Sequence, residues 1–449
     1  VNNAREVALQ VIRDVFPAEG HAARGAQEAF DYRAGKAGLD ARNRAFATEL
    51  AYGAIKMRRA LDWYLDPFVG ERATSLPPVI LEILRLGAYE FVFTRADEHA
   101  TVFELVNLAK KYGHPGVAGL ANAVFRSFLR DRPAPPARER FGSEDDYLGT
   151  LYSLPNWLLR LLRVAFPKEL EAVCAGVNAP AQSAIVVNRL RGDVDAVASA
   201  IRNAGVDVRR SPFVEEALLA NGAAYLRARE RDAEGAWWIQ SESSAMPVAV
   251  LNPQPGEAVL DVASGRGNKA LQIGARMAAG GDHIEGTLVC IERDAKRVAT
   301  LQKRLEQSGV AAGVITGDAA TEVLEPNQQF DRILIDAPCS SIGIIGRHPE
   351  ARWRKRPNDG ERLAVVQAAL LERLASNVHS GGTMVYAVCS VDPRETVEVV
   401  EAFLRTHNFS RGLIGASLAP FLTEEGDVLV PPGLEERDGF YIARLEKPT

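Results

Sequence analysis

Two cysteines sit where an α/β chain places chemistry rather than filler. Cys339 lies in "DAPCSS" (336–341), directly after the apolar run Ile333-Leu334-Ile335, and Cys389 lies in "AVCSVDPRE" (387–395), directly after "MVY". Each run reads as a central strand, so each thiol falls at a strand's carboxyl end. In an open α/β sheet those ends share one edge, and ligands bind along it. Two thiols facing one pocket suit covalent chemistry: one adds as a thiolate and the other handles release. A lone cysteine is more often a small buried hydrophobe. The flanking Ser340 and Ser390 and the nearby Asp336 weigh against that reading here.

A second set of residues points to a nucleoside cofactor. "VLDVASGRGNKALQIG" (259–274) reads as strand, Gly-rich turn and helix, with Asp261 at the strand end. Gly265 and Gly267 let the backbone approach a ligand closely. Glu292 ends "LVCIE", Asp318 ends "ITGD" and Asp336 ends "RILID", so four consecutive strands finish on acids. Glu292 is placed to hold a ribose diol, as acids do at this edge, and Asp318 to accept from an adenine amino group. The turn lacks the third glycine of the dinucleotide fingerprint, which favours S-adenosylmethionine over the rival dehydrogenase-type cofactor. The candidate cofactor set is Asp261, Ala263, Ser264, Gly265, Arg266, Gly267, Asn268, Lys269, Glu292, Arg297, Asp318 and Asp336.

With such a cofactor, the thiol pair suits methylation of cytosine at carbon 5. That carbon is a poor nucleophile until a thiolate adds to carbon 6 and makes it enamine-like. A carboxyl group on the ring-nitrogen edge stabilises the adduct, and a second thiol assists its release. The base must first leave its stack.

These residues need a scaffold. The runs "AVLDVAS", "GTLVCIE", "GVITGD", "RILIDAP" and "TMVYAVCS" alternate with helical stretches, which implies a mostly parallel sheet covered on both faces. Residues 237–449 are therefore expected to form an α/β domain. Residues 1–133 show apolar positions three and four apart throughout and read as helices, one starting at His99 or Thr101 and ending at Gly113. The Pro-rich "RPAPPARER" (132–140) marks a boundary. Residues 141–236 read as a small α+β domain, with a strand in "SAIVVNRL" and a helix ending near Gly205.

The 449 residues carry a formal net charge of −5, which excludes a uniformly basic nucleic-acid binder. Local patches remain: "RHPEARWRKR" (347–356) holds five Lys/Arg against one Glu. Arg347, Arg352, Arg354, Lys355 and Arg356 are candidate RNA contacts, with Trp353 as the anchor of that loop. "KMRR" (56–59) and "KK" (110–111) are weaker patches. Cys174, Cys290, Cys339 and Cys389 include no C-x-x-C, so no metal site is expected. Free thiols suit a reducing cytoplasm. The amphipathic N-terminus is not expected to be a signal peptide, nor any segment a membrane span, and a monomer is expected.

The motifs also carry a resemblance. "FDRILIDAPCSS" resembles the signature of the Sun-type RNA cytosine-5 methyltransferase family, whose usual form ends in Gly or Ala where this chain has Ser341. "RHPEARW", "YAVCSVDPRE", "WWIQSESS" and "DGFYIARLEK" are similar to further segments of that family. The resemblance implies a Rossmann-like, S-adenosylmethionine-dependent domain in which the later cysteine, Cys389, attacks. It implies that Cys339 assists release and that Asp336 binds the cytosine edge beside the cofactor. The N-terminal helices resemble the NusB RNA-binding fold, through "RNRAFATELAYGAIKMRRALDWYL" and "ANAVFRSFLR". Such a pairing is similar to bacterial enzymes of small-subunit (16S) ribosomal RNA, which implies that RNA as partner. A non-catalytic RNA-binding or assembly factor that kept the fold is the alternative. The chain departs from the family at its cofactor turn, where Ala263-Ser264-Gly265-Arg266-Gly267-Asn268-Lys269 replaces Cys-Ala-Ala-Pro-Gly-Gly-Lys. Val186 stands where Arg is frequent, and Thr396 where Asn is.

Overall fold

The computed structural model describes residues 4–70, 75–221, 226, 235–278, 281, 283–321, 324 and 328–449. Its contacts group into two compact units. Unit 1 comprises residues 1–164 with 347–355, and unit 2 comprises 165–346 with 356–449.

Unit 1 is helical. Its described elements are α1 (Ala4–Val15), α2 (Ala26–Ala37), α3 (Ala41–Lys56), α4 (Arg58–Val69), α5 (Pro78–Phe93), α6 (Glu98–Tyr112), α7 (Pro115–Asp131), α8 (Glu144–Leu151) and most of α9 (Asn156–Ala165). The periodicity explains the packing: Val7, Val11, Ile12 and Val15 of α1 are buried with Leu50, Ile55, Ile83 and Leu84 in one apolar core. Caps set the ends. Asp97, rather than His99 or Thr101, starts α6, its carboxylate accepting from Ala100 N at 2.7 Å. Thr101 is instead buried and donates to Glu90. Gly113 follows the last residue of α6, as its sequence indicates.

The Pro-rich stretch at 132–140 does not separate compact units, because the chain packs back after it. Phe141 stacks on Trp63 with ring centroids 4.6 Å apart. The Arg59 guanidinium donates to Leu154 O at 2.7 Å and to Asn156 Oδ1 at 2.5 Å. Contacts divide the chain at residue 164 instead. Among the described residues, no helix is long and apolar enough to cross a membrane.

Unit 2 holds two sheets. The smaller is antiparallel, in the order β2 (Val208–Arg210), β3 (Ala217–Ala220), β1 (Ser183–Val187), β4 (Trp237–Ile239). α10 (Leu170–Gly176) precedes it in the chain, and α11 (Val194–Asn203) packs on it, ending just before Gly205 in a left-handed turn. Buried Val186, Ala217 and Trp238 share a core with Leu271, Leu288 and Leu301 of the larger sheet's layers, so residues 165–236 pack with the α/β part. A buried ion pair reinforces that packing: Glu216 accepts from Arg276 at 2.7 and 2.8 Å.

The larger sheet runs β7 (Gly313–Thr316), β6 (Thr287–Glu292), β5 (Ala258–Val262), β8 (Phe330–Asp336), β9 (Val378–Val388), β12 (Phe440–Glu446), β10 (Ser410–Arg411), with β11 (Val428–Val430) also on β12. β5 to β9 are parallel, and β12 is antiparallel to β9. The strand order reverses between β5 and β8, the switch point at which such sheets bind ligands. Asp261 and Asp336 end near and at the carboxyl ends of those two strands.

Candidate active site

β5 feeds a turn whose backbone is unusual. Ala263, Gly265 and Gly267 all have positive φ, at 59°, 58° and 89°. α12 (Glu242–Leu251) precedes β5; at Gly267, with φ 89°, a Cβ would lie 2.5 Å from Leu301 Cδ1, so glycine lets the turn pack against α14 (Ala295–Ser308) before α13 (Asn268–Arg276) begins. The two residues that depart from the family pattern are held locally. Arg304 of α14 donates to Arg266 O at 2.9 Å and to Asn268 Oδ1 at 2.5 Å, and Asn268 Nδ2 reaches Ile239 O.

Around the turn stand the predicted acids. Asp261 is fully buried, and neither carboxylate oxygen has a hydrogen-bond partner. Burial pushes it up to about 7. Glu292 is buried with one oxygen accepting from Gly265 N at 2.8 Å and the other from Asp294 N at 2.9 Å. It therefore ties the end of β6 to the turn after β5. Asp318 is exposed beyond β7 and accepts from Ala320 N. Arg297 is exposed on the first turn of α14, and no contact joins its side chain to the others.

Lys269 and Asp336 meet across the switch point, with Nζ to Oδ2 at 2.7 Å, and Lys269 also reaches Ser244 Oγ at 3.2 Å. Beside them, Cys339 Sγ and Cys389 Sγ are 3.2 Å apart. The pair is asymmetric. Contact with Cys389 and burial, with Glu395 nearby, push the Cys339 thiol well above its ordinary range. Contact with Cys339, helped by the Ser341 hydroxyl and the Lys269 charge, brings Cys389 down. That asymmetry favours Cys389 over Cys339 as the thiolate of the pair.

One residue, given no role by the sequence reading, organises both cysteine loops. Glu395 is fully buried. Its Oε1 accepts from Ser340 N at 2.8 Å and Gln367 Nε2 at 3.1 Å, and its Oε2 accepts from Ser390 Oγ at 2.6 Å and from Ser340 Oγ. Gln367 Nε2 also reaches Pro338 O at 2.9 Å. Each cysteine is followed by a serine, and both serines end on the same carboxylate. That repeated Cys-Ser pair was the visible signal; the acid that joins them is local to the second motif only.

The basic segment requires a correction. Arg352 is completely buried, and its guanidinium faces Lys56 O and Ser153 O within unit 1. Arg354 donates to Val15 O at 2.6 Å and Arg24 O at 2.7 Å. Backbone carbonyls, rather than phosphates, occupy these two. Trp353 anchors the segment as expected, its indole N–H donating to Ile55 O at 2.6 Å. Arg347 and Lys355 are half-buried and Arg356 is exposed. The weaker patches differ: Arg58 is half-buried and pairs with Glu82, whereas Lys110 and Lys111 are exposed, Lys111 pairing with Glu6. Burial and the charge of Arg352 bring Lys56 down to about 8.

A parallel sheet with this switch point, an acid-flanked turn after its first strand and an antiparallel edge strand define a methyltransferase of the Rossmann-like class. Comparison with known proteins makes that specific. Residues 248–446 match the family described as 16S rRNA methyltransferase RsmB/F, residues 2–130 the NusB family, and residues 154–225 the ferredoxin-like domain of RsmF/B-like methyltransferases. The chain is 30% identical over 421 residues to the probable ribosomal RNA small subunit methyltransferase B of Bacillus subtilis, covering 91% of this chain and 92% of that one. It is 31% identical over 408 residues to ribosomal RNA small subunit methyltransferase B of Klebsiella pneumoniae, covering 90% of each. The crystal structure of PH0851 superposes with a TM-score of 0.82 at 25% identity over 100% of this chain and 99% of that one. The structure of NSun6 from Pyrococcus horikoshii with SFG shares the fold at a TM-score of 0.57 and 17% identity, over 67% of this chain and 100% of that one. The chain belongs to the RsmB/F family of 16S rRNA methyltransferases.

Proposed function

We propose that this chain methylates carbon 5 of a cytosine in small-subunit ribosomal RNA, using S-adenosylmethionine and a covalent Cys389 adduct. The observation that carries the reading is the pair of strand-end thiols 3.2 Å apart, with Asp336 and Lys269 beside them.

The residues present fit the cofactor. The buried Asp261 carboxylate has two unpartnered oxygens that a donor-bearing ligand would satisfy. Glu292, held by two backbone N–H groups, would take a ribose diol, and Asp318 an adenine amino group. Residues 263–269 would line the close approach, and Arg297 would lie at the rim. When bound, S-adenosylmethionine supplies an electrophilic sulfonium methyl group for carbon 5.

The chain's own residues do the rest. Cys389, as thiolate, forms a bond to cytosine carbon 6, and the displaced π electrons enrich carbon 5. Asp336, fixed by Lys269, meets the ring-nitrogen edge and stabilises the adduct. Once the methylated carbon 5 has lost its proton, the carbon 6–sulfur bond breaks and Cys389 leaves as thiolate. Cys339, in contact with that sulfur, assists this release. Arg356, with Arg347 and Lys355, would meet the RNA backbone; the protein would act as a monomer in the cytoplasm.

C389A should abolish methyl transfer from radiolabelled cofactor to 16S rRNA, whereas C339A should accumulate a protein–RNA adduct visible on a denaturing gel. Bisulfite mapping of the RNA identifies the base. Full activity in C389A would remove the assigned nucleophile, and cofactor binding with no transfer to any RNA would favour the non-catalytic alternative.

A further inference from the structure

The turn after β5 holds three positive-φ residues within five positions, and two of them are glycines. Glycine has more backbone freedom to lose than any other residue, so such a turn is costly to order around a ligand. A proline stiffens a chain by fixing φ, but here Arg266 stands where the family pattern has Pro. The order of this turn must come from outside it.

One face of α14 supplies that order. Leu301 and Arg304 are three residues apart and both reach the turn. Leu301 packs where a Cβ at Gly267 would stand. Arg304 is half-buried, and one nitrogen of its guanidinium donates to Arg266 O at 2.9 Å and to Asn268 Oδ1 at 2.5 Å. The two bonds bracket Gly267, and a charged donor makes each stronger than a neutral one would be. Asn268 carries the link further, its Nδ2 donating to Ile239 O at the end of β4 at 3.3 Å. On the strand side, Glu292 accepts from Gly265 N at 2.8 Å and Ser264 O accepts from Gly267 N at 2.9 Å. The next residue, Lys269, is the one that meets Asp336, so the same clamp fixes where α13 starts.

We propose that Arg304 is a positioning residue for the cofactor. By bridging Arg266 O and Asn268 Oδ1 it holds the backbone of residues 265–268 in the shape that cofactor binding requires, and it acts through the turn rather than by touching the cofactor. The inference rests on S-adenosylmethionine binding at this turn.

The test uses the full-length chain as parent, R304Q, N268A and the double variant, with S-adenosylhomocysteine as probe. In hydrogen exchange without the probe, the Gly265 and Gly267 amides should exchange about tenfold faster in R304Q, with the amides of β5 unchanged. By calorimetry the probe should bind about tenfold more weakly to R304Q and about threefold more weakly to N268A. The double variant should lose less than the product of the two, about thirtyfold, because the residues share one bond. The KM for S-adenosylmethionine should rise in R304Q with kcat unchanged. Faster exchange with unchanged affinity overturns the proposal, since the order of the turn then does not matter to the probe. Weaker binding with unchanged exchange also overturns it, because Arg304 then acts on the cofactor directly. Losses that multiply in the double variant separate the two residues and remove the clamp. If the parent binds the probe and R304Q matches it, Arg304 loses its role and the cofactor site stays. If the parent does not bind the probe, the cofactor site falls and the proposal with it.

Discussion

Two carboxylates in unit 2, Asp261 and Glu395, are both fully withdrawn from water, and they are treated in opposite ways. Asp261, beside the turn after β5, has no partner on either oxygen, whereas Glu395, between the cysteine loops, has donors on both. An unpartnered buried acid costs free energy in the absence of a ligand. A saturated one is committed to structure and has little left to offer a ligand. The difference sorts the site: beside the turn after β5 lies an acid with unfilled acceptors, and between the cysteine loops one whose acceptors are filled.

The sharpest way to break this comparison is E395A. It leaves buried donors from Ser340, Ser390 and Gln367 without their acceptor, and should cost about 3–5 kcal/mol in urea unfolding. Methyl transfer should fall about a hundredfold or more as the two sulfurs lose register. A stability loss near zero would mean that Glu395 is not the clamp.

D261N tests the other side and should have a smaller effect with a different signature. Cofactor affinity should fall about ten- to hundredfold by calorimetry, as expected for loss of a charged acceptor. Without cofactor the variant should instead be the more stable form at neutral pH. The sign follows from the raised folded value: Asp261 is protonated in the fold up to about 7 but ionises near 3.8 when unfolded. Its contribution is complete below 3.8, is lost as pH rises to about 7, and is constant above. The stability gap between D261N and the parent should widen across that window. A gap that does not change with pH would show that Asp261 has a partner after all.

The arginines extend the comparison, and the exposed one gives the smallest effect. R356Q should leave the melting temperature unchanged and reduce the salt slope of RNA binding by about one. R352A should do the reverse, costing about 2–4 kcal/mol by emptying a buried site and orphaning carbonyls.

The sequence was informative where a residue type stands at a strand end. β5 to β9 and the residues that finish them were legible from alternation of apolar runs with helices. The separation of Cys339 from Cys389 could not be read as a distance, but their common edge could. Arg352 and Arg354 misled because charge predicts exposure, and here backbone carbonyls meet the guanidinium groups instead. Glu395 escaped because its role depends on Ser340, Ser390 and Gln367, which are far apart in sequence and meet only in three dimensions. The start of α6 moved to Asp97 because an aspartate caps better than the histidine or threonine that follow it.

Unit 1 is not a continuous stretch of chain: residues 347–355, made long after residue 164, supply Trp353 and Arg352 to its interior. During synthesis the N-terminal helices emerge first, and the positions that Trp353 and Arg352 fill stay empty until the chain beyond the Cys339 loop has been translated. A fragment ending at residue 164 would lack the same pieces. Completion of unit 1 therefore depends on a segment that lies in the chain between β8 and β9 of the larger sheet.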